Sequence, residues 1–280
     1  MGVKSRFDVA STAVTEDRKP ASADWSQPGQ PALQQSGRLS WPLRRRQWLL
    51  LLMSYVGFVA VGTGVGLLLK GPLDNTAVVR TDRSVANWFV DHRTPNLNRY
   101  TVWGSDLADT FIKIGATAVL ALVLWLLWRR WLEPLMLVVP LVLEASAFIT
   151  ITWLVQRPRP DVDRLEGSPV DSSFPSGHVA AATAYAALAV IVFLHTRNRW
   201  ARISVVSLCA AITAVVGLSR MYRGMHYLSD VVAGVLLGAA SVAITVAILL
   251  HTPQGRALAR VGDTEKVATE KVATEAEGGA

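Results

Sequence analysis

Three short stretches hold most of the residues in this chain that could do chemistry. "RPRP" runs from Arg157 to Pro160, "FPSGH" from Phe174 to His178, and "SRMYRGMHYLSD" from Ser219 to Asp230. Planar guanidinium forks match the oxygens of a phosphate, so Arg157, Arg159, Arg220 and Arg223 around one point would make an anion site. Ser176 stands at a helix N-cap position. The backbone N–H groups that follow a cap are open to a phosphate, and Gly177 permits close approach. His226 and Asp230 are four apart, hence on one face if both are helical. The carboxylate can then accept from one ring nitrogen and leave the other as nucleophile or base. His178, on a different helix, is left to act as the acid. Two histidines in distinct settings beside an arginine cradle suit phosphoryl transfer through a phosphohistidine. Each stretch has a blander reading alone: a helix start, a loop arginine, a structural hydrogen bond. Their occurrence together at one end of the molecule carries the argument.

That placement depends on the elements around them. The chain has 280 residues and is 51% hydrophobic. Several apolar runs reach the roughly 18 to 25 residues needed to cross a hydrocarbon core. The pattern predicts an all-α integral membrane protein with six transmembrane helices and its active site at the extracytoplasmic face. The predicted spans are Trp48 to Leu69, Thr110 to Trp128, Pro134 to Val155, Gly177 to His195, Ile203 to Leu218 and Tyr227 to Leu250. Tryptophans 41, 48, 128, 131, 153 and 200 lie near span ends, where interfacial anchors sit. The first span directly follows "RRRQW" without a usual cleavage site, and reads as an uncleaved anchor. His178 and Arg220 are 42 positions apart, enough for one helix down and one back. The three stretches therefore fall at one membrane face, where charged side chains mark a polar cavity.

Arginines 44–46, 129–130, 197, 199, 202, 256 and 260 all fall on the opposite side. By the positive-inside rule that side is the cytoplasm, with both termini inside a multi-pass cell (plasma) membrane protein. The net charge of +7, carried by 22 Arg and 6 Lys, fits cytoplasmic loops and anionic lipid rather than nucleic acid. The one cysteine, Cys209, excludes an intrachain disulfide. No Cys/His cluster has zinc spacing, and no carboxylate cluster has the form that holds magnesium. Residues 1–40 read as a disordered tail, 41–252 as the six-span domain, and 253–280 as a low-complexity tail. The long outer loop, residues 70–109, reads as one or two short surface helices.

Over about Trp48 to Leu250 the chain resembles the type 2 phosphatidic acid phosphatase superfamily, the lipid phosphate phosphatases. The family pattern is Lys, six residues, Arg-Pro; then Pro-Ser-Gly-His; then Ser-Arg, five residues, His, three residues, Asp. The second part matches at Pro175, Ser176, Gly177 and His178, and the third at Ser219, Arg220, His226 and Asp230. The first matches at Arg159 and Pro160, but Thr152 stands where the pattern has Lys. The resemblance implies metal-independent dephosphorylation with no cofactor. It implies His226 as nucleophile, Asp230 orienting it and His178 protonating the leaving oxygen. Arg159, Arg220, Ser176 and the Gly177 amide would hold the phosphate. Arg157 and Lys113 are candidates to supply the cation that Thr152 does not. The implied partners are the lipid bilayer and a membrane lipid phosphate, such as a polyprenyl diphosphate, phosphatidate or phosphatidylglycerol phosphate. Two other readings stay open: a phosphotransferase using a lipid diphosphate, and a non-catalytic lipid-phosphate binder or transporter. Oligomeric state is not set by the sequence.

Overall fold

The structure, a computed structural model, describes residues 43–167 and 171–258. The N-terminal tail read over residues 1–40 lies outside the described residues, as does residue 259 onward of the C-terminal tail. Among the described residues the chain folds into nine helices: α1 (Arg45–Lys70), α2 (Ala77–Asp91), α3 (Pro95–Asp106), α4 (Thr110–Trp128), α5 (Leu132–Val155), α6 (Gly177–Ala184), α7 (Ala186–His195), α8 (Arg199–Tyr222) and α9 (Leu228–Leu250). Among the described residues, six segments are long and apolar enough to cross a membrane, with α6 and α7 together forming the fourth. The fifth runs Arg199–Tyr222, longer at both ends than hydropathy alone predicts.

The helix limits follow local chemistry. Thr94 caps α3 by accepting from Leu97 N–H, and Pro95 takes the first helical turn, where a missing N–H costs nothing. Asp109 caps α4 through Phe111 N–H at 3.0 Å. Asn198 caps α8 through Trp200 and Ala201 N–H. Helix α5 stops at Gln156, whose left-handed backbone (φ 48°) turns the chain into "RPRP". Pro158 and Pro160 then bar a return to helix, because the residue before a proline avoids the α region.

Helix α5 is the central element. It is largely buried within the bundle, whereas α1 and α4 leave most of their apolar surface exposed. One core layer, at the end where α5 begins, joins Leu132, Met136 and Leu137 to Ile191 and Leu249. A second, towards the other end, joins Ile151, Val155 and Phe174 to Leu69 and Val79. The amphipathic loop over residues 70–109 forms α2 and α3. Val79, Asp82 and Ala86 of α2 face inward.

Helices α6 and α9 approach each other closely. A Cβ at Gly234 would lie 2.6 Å from Ser176 O, and one at Gly238 would lie 2.8 Å from Thr183 Cβ. This is a small-residue crossing, with glycines one turn apart letting two helix backbones meet. It fixes the start of α6 against the first turns of α9, and so sets the spacing of the site.

Candidate active site

The site lies at the end of the bundle where α1, α5 and α8 finish and α4, α6 and α9 begin. His226 precedes α9, on the turn 223–227. Gly224 makes that turn with φ +74°, and a Cβ there would meet Val162 and the Asp163 carbonyl. The imidazole is buried, and its Nδ1 lies 2.6 Å from the Ser173 carbonyl oxygen. A carbonyl can only accept, so Nδ1 carries the proton and Nε2 keeps the lone pair. Burial, then the Arg220 and Arg159 charges, push the His226 pKa well below its ordinary value and keep the ring neutral. A neutral imidazole with a defined free nitrogen can attack phosphorus.

Asp230 differs from the sequence expectation. Its carboxylate is 4.0 Å from His226 Nδ1, outside hydrogen-bond reach. The spacing of four aligns side chains only inside a helix, and α9 begins at Leu228, after an extended Tyr227 (ψ 163°). Asp230 instead accepts from Tyr227 N–H at 2.8 Å and from Arg157 Nη1 at 2.6 Å. Its backbone carbonyl accepts from Ser176 N–H at 3.0 Å, tying α9 to the start of α6.

Arg157 is engaged by partners inside the fold. It is buried, with Nη2 on Asp82 at 2.9 Å, Nη1 also on Ser229 Oγ at 2.8 Å, and the guanidinium stacked on the Tyr227 ring at 4.5 Å. Burial opposes its charge, but Asp230 and Asp82 outweigh burial and raise its pKa further. Asp82 in turn accepts from Ser229 N–H at 2.9 Å, so this cluster pins α2 onto the start of α9. Lys113, expected to reach toward the outer face, has its Nζ 3.8 Å from Glu144 Oε1 inside the bundle. Thr152 donates to the Phe174 carbonyl at 3.3 Å and lines a cavity of about 900 Å³ with Gln156, Arg159, Arg164 and Ser172.

The remaining predicted residues lie at the same end of the bundle. Arg159, half-buried, donates to the Met225 carbonyl at 2.6 Å. Burial, then Arg220 and Arg164, pull its pKa down to about 10, so it stays charged among other cations. Arg220, at the end of α8, is buried; its Nη1 donates to Ser105 Oγ at 2.7 Å and to Glu166 Oε1. Its Nε is buried without a partner. Ser176 occupies the N-cap position but makes no side-chain cap bond, and its buried Oγ also lacks a partner. Buried donors are almost always satisfied, and both of these are left open to a further acceptor. Gly177 opens α6 packed on Phe148, whose ring would lie 2.8 Å from an added Cβ. The first N–H groups of α6 have no intrahelical acceptor. His178 follows, half-buried, one position into the same helix.

Sequence reasoning missed Glu166, Ser105 and the role of Asp82. Arg223 Nε donates to Glu166 Oε2 at 2.6 Å, so Glu166 bridges Arg220 and Arg223. A lone loop glutamate among several acidic residues carries no sequence signal. The glycine pair of "GVLLG" was visible, and its four-residue spacing could have predicted the α6–α9 contact.

Comparison with known proteins bears on the same region. The model of the PAP2 superfamily matches residues 134–252. Phosphatidylglycerophosphatase B of Bacillus subtilis (strain 168) is 29% identical over 176 residues, covering 61% of this chain and 85% of that protein. The bacitracin transport permease protein BcrC of Bacillus licheniformis is 35% identical over 83 residues, 29% of this chain and 36% of that one. Among solved structures, a transmembrane PAP2-type phosphatidylglycerolphosphate phosphatase from Bacillus subtilis superposes with a TM-score of 0.59 at 22% identity. That match covers 67% of this chain and 93% of the other.

Proposed function

We propose that this chain, a member of the PAP2 superfamily of lipid phosphatases, hydrolyses a membrane lipid phosphate or diphosphate through a phosphohistidine at His226, without a metal. The carrying observation is the His226 ring, with Nδ1 held on the Ser173 carbonyl at 2.6 Å and Arg159 and Arg220 acting on it. In the first step Nε2 attacks phosphorus, an N–P bond forms, and the P–O bond to the lipid breaks. His178 gives a proton to the departing oxygen. In the second step water attacks phosphorus, His178 takes the water's proton, the N–P bond breaks, and phosphate leaves. Arg159, Arg220, Ser176 Oγ and the α6 amides hold the charge that builds on the phosphoryl oxygens. Asp230 acts one step removed. At 4.0 Å it favours the positive charge that the attacking imidazole acquires.

The named relatives favour phosphatidylglycerol phosphate as first substrate to test, with polyprenyl diphosphate and phosphatidate beside it. The arginines at the other end of the bundle support a plasma-membrane protein with that end in the cytoplasm and the site outside. The test is acid-quenched turnover of a lipid phosphate labelled on phosphorus. Acid-labile, base-stable label on the protein is expected, absent in His226→Ala. Phosphate release should persist in chelator and be inhibited by vanadate. Release restored only by added magnesium, or label retained in the variant, would sink this mechanism.

A further inference from the structure

Glu166 sits on the loop between Pro160 and Phe174, and its carboxylate turns onto the arginines. Arg220 Nη1 donates to one oxygen and Arg223 Nε to the other, with Ser105 Oγ 3.4 Å from both. Burial opposes its charge, but Arg220 and then Arg223 outweigh burial and hold the carboxyl below its ordinary value. A carboxylate is recognised by a guanidinium fork as a phosphate is. Here it takes one edge of Arg220, while Arg220 Nε and Ser176 Oγ stay buried without partners. A plain loop-fastening ion pair would account for Arg223. It gives no reason for the carboxylate to close on the arginine whose Nε is left open.

We infer that Glu166 is a resident counter-anion that shares Arg220 with the substrate's phosphate and keeps the phosphate product weakly held, so that the site empties after each turnover. This rests on the phosphatase reading above. An entering phosphate meets the positive field of Arg159, Arg220 and Arg223 reduced by one negative charge, and finds Nη1 of Arg220 already occupied. Neutralising Glu166 removes a like charge and frees that N–H. Substrate and product phosphate should then both be held more tightly, and product inhibition should rise.

The experiment is calorimetric binding of inorganic phosphate and of vanadate to the purified full-length protein in detergent. Wild type, Glu166→Gln, Glu166→Ser and the exposed control Asp163→Asn are compared, with thermal melts to verify folding. Both Glu166 variants should bind phosphate at least tenfold more tightly than wild type, and Asp163→Asn within twofold. Equal or weaker binding by folded Glu166 variants would make the carboxylate a holder of Arg220 and overturn the inference. Failure of both variants to fold would overturn it equally, making Glu166 a structural brace. No phosphate binding by any form would instead remove the phosphatase reading beneath it.

Discussion

Replacing Arg157 by Gln separates a scaffold arginine from a phosphate ligand. Sequence spacing alone suggests a substrate contact, whose loss would cost about 10- to 150-fold in kcat/KM, from roughly 1.5–3 kcal/mol per charge-assisted hydrogen bond. The structure gives a different account. The Arg157 side chain is 4% exposed and divided between Asp82 and Asp230, themselves 2% and 0% exposed. Gln would leave two buried carboxylates beside each other without their cation. Removing one partner of a buried ion pair costs about 3–5 kcal/mol. For a domain of this size each kcal/mol moves the melting point about 2–4 °C, so the midpoint should fall by about 6–20 °C. The assay is a thermal melt of the purified protein in detergent, then kinetics on a lipid phosphate at a temperature where the variant stays folded. KM should stay within about threefold, because no substrate contact is lost, while kcat falls as Asp230 loses its placement. Asp82→Asn, far from the three motifs in sequence, should destabilise in the same way. A variant Arg157→Gln that melts like wild type while KM rises tenfold or more would refute this reasoning and place the guanidinium on the substrate.

Arg159→Gln and Arg220→Gln should show the opposite pattern, each lowering kcat/KM by about 10- to 150-fold in phosphate release; a melting shift without a kinetic effect would remove them from the cradle. His226 is buried neutral with its pKa pushed down, so the unfolded chain binds a proton there that the folded chain does not. The stability it contributes is present above its ordinary value of 6.5 and is lost as pH falls below that value. His226→Gln should therefore flatten the acid side of the melting-point profile measured from pH 7 to 5. Gly234→Val should push α6 off α9, because even a Cβ would sit 2.6 Å from Ser176 O, and phosphate release should drop at least tenfold; unchanged release would show that the two helices can move apart freely.

The sequence by itself determined the six spans and that its three polar stretches share one end of the bundle. Runs of about 20 apolar residues must cross lipid as helices, since no other local structure satisfies their backbone there, and alternating spans carry three polar stretches to one side. It also put Arg159, Ser176, Gly177 and Arg220 at one end of the bundle, because Arg159 and Ser176 lie on the loop that leads into Gly177 and Arg220 lies in the last turn of α8. Only the tertiary structure decided what each charge meets. Arg157 and Arg159 are two residues apart in one loop, yet one is paired to Asp82 across 75 positions and the other stands in the cluster. The partner of His226 is a carbonyl 53 positions away rather than the carboxylate four positions on, because the histidine lies before the helix that would have aligned them. Lys113 faces Glu144 at 3.8 Å, and Glu166 reaches Arg220 from a loop. Hydrophobic periodicity is a local property and can be read along the chain. Pairing of buried charges is set by which elements pack together, and only the assembled bundle specifies it.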